Sequence, residues 1–573
     1  MKTLDIETFP LHGIRLIEAS AGTGKTFTIA GLYLRLLLEQ NLQVTQILVV
    51  TFTEAATQEL RGRIRQRIHN ALRWLEDDSR LQKTDDATLL EKYRGQSDII
   101  QRLRDAVTCM DEACIFTIHG FCQRSLGDSA FESGVLFDSE FTTDLSHLQQ
   151  QVIRDFWRRT VTDPGTENAA WILERWGTPD ELAAEIRPLV EKDNIQVLPD
   201  PETLSLESME DKQQKAYFEF CEEWRQYKQD TYALLTQSPL LGRAASTFKI
   251  ELIDHLFRAV DEFVGQDKMP ITLPPSFELI TTTKIADPGS HLQREIKKGT
   301  LPPAHPLFDL AQSISEMNLV ADITREVLFL TRAAAYMREE TDRRKQNSRM
   351  MSFDDLLTKL DSALSSDFGE GLAAHIRNNY PVAMIDEFQD TDPKQYRIFS
   401  RIYQRSENAS LFMIGDPKQA IYSFRGADIF TYMKARSDTD VDSHFTLGIN
   451  YRSHAMLIEG VNTIFEKATA PFIFHEEIVF EPVDPAPIQA KPESQPLMIN
   501  GELPSPLLCW HVPKTTDNEH RDVITKNWAG LHVARGTAAE ISQLLTLGQE
   551  GKACLEARHL AASDIAVLVR DRY

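Results

Sequence analysis

The sequence has few cysteines, and none of them forms a paired metal-binding or redox motif. Six cysteines lie among 573 residues, and no two of them follow the C-x-x-C spacing. Cys109, Cys114 and Cys122 lie near His119, but their spacing matches no standard zinc pattern. The pattern therefore favours reduced structural thiols over a metal cluster.

Long hydrophobic runs are also missing. No stretch approaches the roughly 18 uninterrupted apolar residues that a transmembrane helix needs. The first residues, MKTLDIETFPLHG, carry acids where a signal peptide needs a basic and then an apolar segment. The sequence thus predicts a cytoplasmic protein with no membrane partner.

Positive charge is scarce. The chain has 62 Lys and Arg against 85 Asp and Glu, which gives a net charge of −23. This balance argues against a protein that binds polyanions over its whole surface. If the protein binds nucleic acid, it must do so through local basic patches, and basic partner subunits are expected.

The order of apolar segments predicts an α/β protein. A chain of 573 residues is too long for one core, so about two to four domains are expected. Apolar segments at 15–20, 46–53 and 114–120 alternate with helical patterns, and further strand patterns lie at 381–388 and 410–416. Strands that alternate with helices indicate a parallel sheet.

Two other regions depart from that alternation. From about 126 to 345 the apolar spacing is mostly helical, which predicts a helical insertion. After about 445, buried strands are predicted at 506–512 and 564–573, with a helix at about 530–547. The last strand has no covering helix behind it, as in an unfinished domain, so we expect a piece of a longer protein.

The segment ASAGTGKT lies between a predicted strand and an amphipathic helix. It fits the Walker A pattern except that Ala19 replaces the first glycine, and a plain glycine-rich turn is the alternative. Gly22 and Gly24 permit a tight loop whose N–H groups face an anion. Lys25 is suited to neutralise the β- and γ-phosphates, and the Thr26 hydroxyl to ligate magnesium. The predicted phosphate-binding residues are Ala19, Ser20, Ala21, Gly22, Thr23, Gly24, Lys25 and Thr26.

A second carboxylate site follows the strand pattern in AMIDEFQDTD. Four apolar residues bring the chain to the carboxyl edge of the sheet, where Asp386 can hold the magnesium shell. Glu387 follows at once and can polarise the attacking water. One carboxylate on metal and one on water is what hydrolysis of a nucleoside triphosphate needs.

The motif set resembles the UvrD-like branch of superfamily 1 DNA helicases. The resemblance is carried by LIEASAGTGKT, LVVTFTEAATQELRGRI, FTIHGFCQR, FDDLL, DEFQDTD, GDPKQAIYSFRGAD and NYRS. It implies an α/β fold: a P-loop NTPase with a RecA-like parallel-sheet domain, a large helical insertion and a partial second RecA-like domain. The implied parts are 1–125 and 345–445 for the first motor domain, 126–344 for the insertion and 446–573 for the second.

The resemblance implies roles for two more residues. Gln419, in GDPKQ, would sense the γ-phosphate, and Arg452, in NYRS, would act as an arginine finger from the second motor domain. A guanidinium suits that role because its planar fork stabilises charge on the equatorial oxygens. With Lys25 and Glu387 they form the predicted catalytic set, acting on ATP with Mg²⁺. ATP itself rests on the resemblance, because the adenine-reading glutamine of this branch is missing from FPLHGIRL.

Strand ends and the segment beyond Gln419 supply candidates for DNA contact. Ligands bind at the carboxyl edge of such sheets, and aromatic side chains with a guanidinium give single-stranded bases a stacking platform. The candidates are Thr51, Phe52, Thr53, Thr117, His119, Tyr422, Phe424 and Arg425. Core packing is the alternative for Tyr422 and Phe424, and a satisfied buried histidine is the alternative for His119.

The resemblance implies a bacterial, cytoplasmic 3′-to-5′ DNA helicase motor of a helicase–nuclease that acts in double-strand-break repair and recombination. Its partners would be single-stranded and duplex-end DNA and RecC-like and RecD-like subunits. No nuclease carboxylate cluster is visible in these residues. A stand-alone repair helicase is one alternative, although FTIHGFCQR speaks against it. A non-hydrolysing nucleotide- or DNA-binding scaffold is another.

Overall fold

A computed structural model gives the structure of most of the chain. It describes residues 1–76, 86–128, 140–142, 144–162, 169–191, 195–241, 248–287, 289, 291–404, 406, 408–421, 428–474, 476–487, 497–511, 524–555 and 558–569. The chain divides into two compact units. We call Met1–Phe137 with Phe353–Tyr573 the sheet unit, and Asp138–Ser352 the helical unit.

The strands of the described residues are mostly short. They are β1 (Lys2–Thr3), β2 (Ile14–Ala19), β3 (Ile47–Thr51), β4 (Ile115–Thr117), β5 (Glu140–Thr142), β6 (Met350–Ser352), β7 (Val382–Ile385), β8 (Ser410–Gly415), β9 (His444–Leu447), β10 (Ile449–Asn450), β11 (Asp484–Pro485), β12 (Met498–Ile499), β13 (Ala553–Leu555) and β14 (Arg558–His559).

The α-helices range from one turn to 42 residues. They are α1 (Lys25–Glu39), α2 (Glu54–Glu76), α3 (Ala87–Glu91), α4 (Ser97–Thr108), α5 (Ile118–Asp128), α6 (Ser146–Val161), α7 (Ala169–Trp176), α8 (Pro179–Glu191), α9 (Leu206–Gln237), α10 (Ile250–Val264), α11 (Thr282–Ala286), α12 (Gln293–Ile296), α13 (Pro306–Asn347), α14 (Phe353–Ser365), α15 (Gly369–Asn379), α16 (Pro393–Tyr403), α17 (Ile429–Asp438), α18 (Ala455–Glu466) and α19 (Lys526–Gln549). No described helix is both long and apolar enough to span a membrane.

The sheet unit contains a seven-stranded sheet in the order β1-β9-β2-β8-β7-β3-β4, and every pair in it is parallel. β3, β7 and β8 are short, mostly apolar runs buried along their whole length, as strands covered on both faces require, and β2 is buried from Leu16 to Ala19. The prediction of an α/β parallel-sheet fold is confirmed. The carboxyl ends of these four strands therefore meet at one edge of the sheet.

Helix α1 anchors that edge through its apolar residues. Ile29, Leu32, Tyr33 and Leu36 are fully buried in a core that also includes residues of α2, α4 and the sheet. Burial of each such side chain contributes about 1.5–3 kcal/mol relative to exposure. The start of α1, and with it the loop before Lys25, is thus fixed against the sheet.

The helical unit has cores of its own. α9 and α13 pack along each other, and aromatic residues such as Trp224 and Phe257 fill one cluster beside them. A second cluster contains Trp171, Trp176 and residues of α13. Within the same unit, β5 and β6 form a parallel pair. The described part of the unit agrees with the helical spacing of the sequence.

Three expectations about elements are wrong. The apolar run 114–120 is not one strand, because β4 ends at Thr117 and α5 begins at Ile118; the Thr117 hydroxyl accepts a hydrogen bond from the Gly120 N–H (3.3 Å) and caps the helix. His119 therefore lies in the first turn of a helix.

The other two concern predicted buried strands near the end of the chain. Residues 506–511 and 565–569 pair with no strand in the described part of the chain. Leu508, Trp510 and Leu568 are exposed, Leu568 completely. An apolar run becomes a buried strand only beside a partner edge, and periodicity does not reveal whether one exists. Residues 512 and 570–573 lie outside the described residues, whereas the helix predicted at about 530–547 is present as α19.

Candidate functional site

The glycine-rich loop between β2 and α1 is a tight turn at the carboxyl edge of the sheet. Gly24 is the N-cap residue of α1 with φ 89°, and Gly22 has φ 78°, so both positions use the conformational freedom of glycine. The buried Thr23 donates to the Ser20 carbonyl from its backbone N (3.2 Å) and from Oγ1 (2.7 Å). These bonds close the loop on itself.

The loop leaves backbone N–H groups available to a ligand. Within the described part of the chain, the N–H groups of Gly22, Gly24, Lys25 and Thr26 have no hydrogen-bond partner. N–H groups in the first turn of a helix lack intrahelical acceptors, and the positive end of the helix dipole lies there. The loop therefore has the donors and the field of an anion site.

Glu387 contacts the lysine of this loop directly. Lys25 Nζ lies 2.6 Å from Glu387 Oε2, and the lysine side chain is 13% exposed. The Asp386 N–H donates to the Val50 carbonyl (2.8 Å), which extends the pairing of β7 with β3 by one residue. Glu387 then adopts the left-handed conformation (φ 52°, ψ 44°), which non-glycine residues rarely adopt. This turn brings its carboxylate to the lysine.

A chain of hydrogen bonds, which we call the polar relay, leads from Lys25 to Gln419. Gln389 Nε2 donates to Glu387 Oε2 (2.8 Å), and Gln389 Oε1 accepts from the Asp416 N–H (2.8 Å). Gln419 Nε2 donates to Asp416 Oδ2 (2.7 Å). The relay thus consists of Lys25, Glu387, Gln389, Asp416 and Gln419, and it joins the ends of β2, β7 and β8.

Two carboxyl groups beside the relay have raised pKa values. Burial, and then the neighbouring Glu387 carboxylate, raises the pKa of Asp386 to about 6, while Lys25 opposes the shift. The same causes raise the pKa of Asp390 to about 6. A cation bound near Asp386 would favour its ionised form.

These residues fit a magnesium–triphosphate group. Mg²⁺ usually binds one or two protein oxygens and keeps phosphates and waters as its other ligands. Among the described residues no group of three or more His, Cys, Asp or Glu side chains is placed to hold a metal alone. Free amides and Lys25 suit the phosphates, and Asp386 and the Thr26 hydroxyl are donors of the type that magnesium prefers.

The NYRS segment lies against the glycine-rich loop. Asn450 Nδ2 donates to the Ala21 carbonyl (2.8 Å), and the Tyr451 N–H donates to the Gly22 carbonyl (2.8 Å). Asn450 Oδ1 accepts from the backbone N of Arg452 and of Ser453, both at 2.9 Å. Arg452 follows β10, which pairs with β11 rather than with the seven-stranded sheet. The bonds of Asn450 and Tyr451 to the loop carbonyls therefore position the predicted arginine finger beside the loop.

The candidate DNA-contact residues on β3 and β4 lie side by side. Thr51 pairs in register with Thr117. Thr51 is buried, and its hydroxyl bonds to Thr57 Oγ1 (2.5 Å), whereas Thr53 is exposed and Phe52 half-buried. His119 makes an edge contact with Phe353 (ring centroids 5.6 Å), and burial lowers its pKa. Of these five candidates, Thr53 is exposed, Phe52, Thr117 and His119 are half-buried, and Thr51 is buried. Tyr422, Phe424 and Arg425 lie outside the described residues.

Sequence reasoning missed three residues of the site. Gln389 and Asp416 form the middle of the relay, and Asn450 ties the loop to Arg452. Each stands inside a motif that the sequence offers, DEFQD, GDPKQ or NYRS. Their position inside those motifs was the available signal, since a polar residue within three positions of an assigned one at a strand end is a candidate connector.

Comparison with known proteins places the chain in a family. The family model described as UvrD/REP helicase N-terminal domain matches residues 4–274 and 276–440. RecBCD enzyme subunit RecB of Escherichia coli (strain K12) is 41% identical over 590 aligned residues, which cover 100% of this chain and 47% of that protein. The subunit of the same name from Haemophilus influenzae is 35% identical and covers 99% of this chain and 48% of its own length.

A more distant relative has the same name. RecBCD enzyme subunit RecB of Mycobacterium tuberculosis is 27% identical, covering 97% of this chain and 38% of that protein. The chain therefore spans about half the length, or less, of these relatives. The similarity runs through the sheet unit and the helical unit alike.

Proposed function

The chain belongs to the UvrD/REP helicase family, and from this premise we propose that it is the ATP-driven DNA motor of a RecBCD-type helicase–nuclease. The motor would move along single-stranded DNA in the 3′-to-5′ direction and act at duplex ends in double-strand-break repair. We assign 1–125 with 345–445 to its first motor domain, 126–344 to a helical insertion and 446–573 to part of a second motor domain.

The polar relay is the observation that carries this proposal. It links the residue suited to hold phosphate, Lys25, with the residue suited to polarise water, Glu387, and with the proposed γ-phosphate sensor, Gln419. A structural ion pair would need only the first two. A continuous connection across three strand ends is what a site needs if it must report whether a γ-phosphate is present.

The proposed roles follow from charge and position. Phosphates that pair with the Lys25 ammonium group would break its ion pair with Glu387. The Glu387 carboxylate would then be free to hold the attacking water. Thr26 and Asp386 would hold Mg²⁺, and when bound this ion neutralises charge on the phosphates. Arg452, held by Asn450 at the loop, would stabilise charge that develops during transfer.

Replacement of the loop lysine tests the proposal. We expect Lys25→Ala to abolish DNA-stimulated ATP hydrolysis, because the variant loses the side chain assigned to contact the β- and γ-phosphates, and to leave the circular dichroism spectrum unchanged. The matched control is Lys92→Ala, at an exposed lysine outside the site. Unchanged turnover in Lys25→Ala would contradict the site assignment.

Partner binding tests the second half of the proposal. The relatives are named as subunits of the RecBCD enzyme, so we propose RecC-like and RecD-like partners, which would also compensate for the net charge of −23. Copurification with such subunits, and a gain in DNA-stimulated ATP hydrolysis in their presence, is the expected result. A protein that hydrolyses ATP and unwinds DNA equally well alone would be a stand-alone helicase instead.

A further inference from the structure

A charged residue is buried in the strand that leads into the glycine-rich loop. Glu18 is the residue before Ala19, and it is 6% exposed. It lies in register with Gly415 of β8 and Thr446 of β9, in the middle of the sheet. Burial of a carboxylate costs free energy unless close partners compensate for the lost water.

The partners of Glu18 come from one face of α17. Arg436 Nε lies 3.6 Å from Glu18 Oε1, which is an ion pair rather than a short hydrogen bond. Tyr432 stands one turn earlier on the same helix face and is 1% exposed. Within the described part of the chain, neither Glu18 Oε1 nor the Tyr432 hydroxyl has a partner with full hydrogen-bond geometry. The hydroxyl nevertheless faces the Glu18 carboxylate closely enough for a weak bond between them to contribute to its raised pKa. Burial and then the Glu18 carboxylate raise the pKa of Tyr432 well above its ordinary value.

The same tyrosine borders the polar relay. Its ring lies 5.9 Å from that of Phe388, the residue after Glu387. The Asp416 carboxylate, a member of the relay, is also among the charges that act on the Tyr432 hydroxyl. Tyr432 is therefore placed between the strand before the glycine-rich loop and the segments that hold Glu387 and Gln419.

Helix α17 has a defined place in the sequence. Its N-cap residue is Asp428, whose side chain accepts from the Phe430 N–H (3.1 Å). The chain reaches Asp428 directly from the predicted DNA-contact residues that end at Arg425. A buried carboxylate that is paired only at 3.6 Å contributes little to stability. Proteins usually depart from the rule that buried charges are tightly paired at functional sites.

We propose that Glu18, Tyr432 and Arg436 are positioning residues that couple nucleotide binding at the glycine-rich loop to single-stranded DNA binding. A shift of α17 would change the distance between Arg436 and Glu18, which is now 3.6 Å, and Glu18 would pass the change to β2 and the glycine-rich loop. This inference rests on the proposed function, because it requires that the protein bind both ligands.

The test is a linkage measurement. The affinity for a labelled oligo(dT) is measured with and without saturating magnesium and a non-hydrolysable ATP analogue, and the ratio of the two dissociation constants is the coupling factor. Coupling factors between two sites are typically about 5 to 150. We expect Glu18→Gln to bring this factor to within about twofold of 1, with the affinity for each ligand alone changed by about twofold or less.

Two further variants complete the experiment. Tyr432→Phe removes the hydroxyl and should reduce the coupling factor in the same direction, which keeps the inference testable if Glu18→Gln does not fold. Glu39→Gln is the control, since Glu39 pairs with Arg35 at the far end of α1. A coupling factor equal to wild type in both test variants, or equal to 1 in the wild type, would overturn the inference. Absence of all nucleotide and DNA binding by the wild type would instead overturn the proposed function.

Discussion

At the scale of single residues, Glu387 is the most constrained side chain of the site. It adopts a left-handed backbone conformation, accepts from Lys25 and Gln389, and adds to the raised pKa values of Asp386 and Asp390. A conformation of this kind costs about 1–3 kcal/mol. The contacts with Lys25 and Gln389 hold Glu387 in this conformation. Such a constraint is expected where a carboxylate must be aimed at a bound water.

Neutralising Glu387 should separate binding from hydrolysis. We expect Glu387→Gln to lower ATP turnover by roughly 10²- to 10⁴-fold, the usual contribution of a positioned general base. Nucleotide affinity should stay the same or rise, because Lys25 loses a competing anion. Steady-state ATP hydrolysis and a fluorescent nucleotide titration measure the two effects. Turnover within about tenfold of wild type would argue against a base role.

Asp386 should make metal-dependent nucleotide binding sensitive to pH. Its pKa is raised to about 6, so the carboxylate is ionised above that pH and protonated below it, and only the ionised form binds Mg²⁺ well. We expect the magnesium-dependent gain in nucleotide affinity to be constant above about pH 7 and to fall about tenfold per unit below pH 6.

The control for this pH dependence is Asp386→Asn, which removes the Asp386 carboxyl group and leaves the nucleotide phosphates and Asp390 to titrate as in the wild type. The difference between the two pH profiles isolates the carboxyl group. In Glu387→Gln the midpoint should move to lower pH, since the Glu387 carboxylate is, after burial, the largest cause of the raised pKa of Asp386. Identical profiles in wild type and Asp386→Asn would contradict a metal-binding role for Asp386.

At the scale of elements, the carboxyl ends of β2, β7 and β8 form the site because the chain turns sharply after each strand. Gly415, the last residue of β8, lets the backbone of β8 approach Gln389 closely. A Cβ added there would lie 2.6 Å from Gln389 Oε1 and 3.0 Å from the Gln389 backbone N. Glycine at this position thus allows the middle of the polar relay to form.

Gly415→Ala should therefore disrupt the relay. We expect a loss of about 1–3 kcal/mol in the free energy of unfolding from overpacking, together with slower ATP hydrolysis. The matched control is Gly371→Ala in α15, where an added Cβ meets nothing within 4 Å. That change should stabilise the protein by up to about 1 kcal/mol. Chemical denaturation of both variants measures the difference, and equal stabilities would contradict the close approach.

The sequence predicted these elements well where local rules decide them. The apolar runs of β2, β3, β7 and β8 and the glycines before Lys25 identify a parallel sheet with a loop at its edge. The motifs offered Gln389 and Asp416 as candidates, but their contact was not predictable, because the two residues meet only after β7 and β8 become neighbours. The predicted strands at 506–512 and 564–573 failed for a related reason: pairing depends on a partner edge, which lies elsewhere in the chain.

At the scale of the whole molecule, each unit has its own hydrophobic core. Among the described residues, the two clusters of the helical unit contain residues from 152 to 337, and the large cluster of the sheet unit joins residues from 4 to 115 with residues from 382 to 445. β9 (His444–Leu447) pairs with β2 and crosses the proposed border at 445–446, so the first sheet extends two residues beyond that border. The positions of apolar runs in the sequence do not show which sheet a short strand such as β9 will join.

The helical unit should fold by itself. We expect residues 138–352, expressed alone, to be helical and to unfold cooperatively, because the members of their clusters all lie within that range. Residues 1–137 alone are the control and should not form the sheet, since β2 then lacks both β8 and β9. Circular dichroism during thermal unfolding measures both. A helical unit without a cooperative transition would contradict its independence.

The place of β2 in the sheet has a consequence for biosynthesis. Its two neighbours, β8 and β9, begin about 400 and 430 residues after it does, while the described clusters of the helical unit end by residue 337. At about 5–20 residues per second, the ribosome needs on the order of tens of seconds to deliver β8 and β9 after β2. During that interval the apolar strand and its nucleotide loop have no sheet to join. The nascent chain should therefore depend on chaperones until residue 447 has left the exit tunnel.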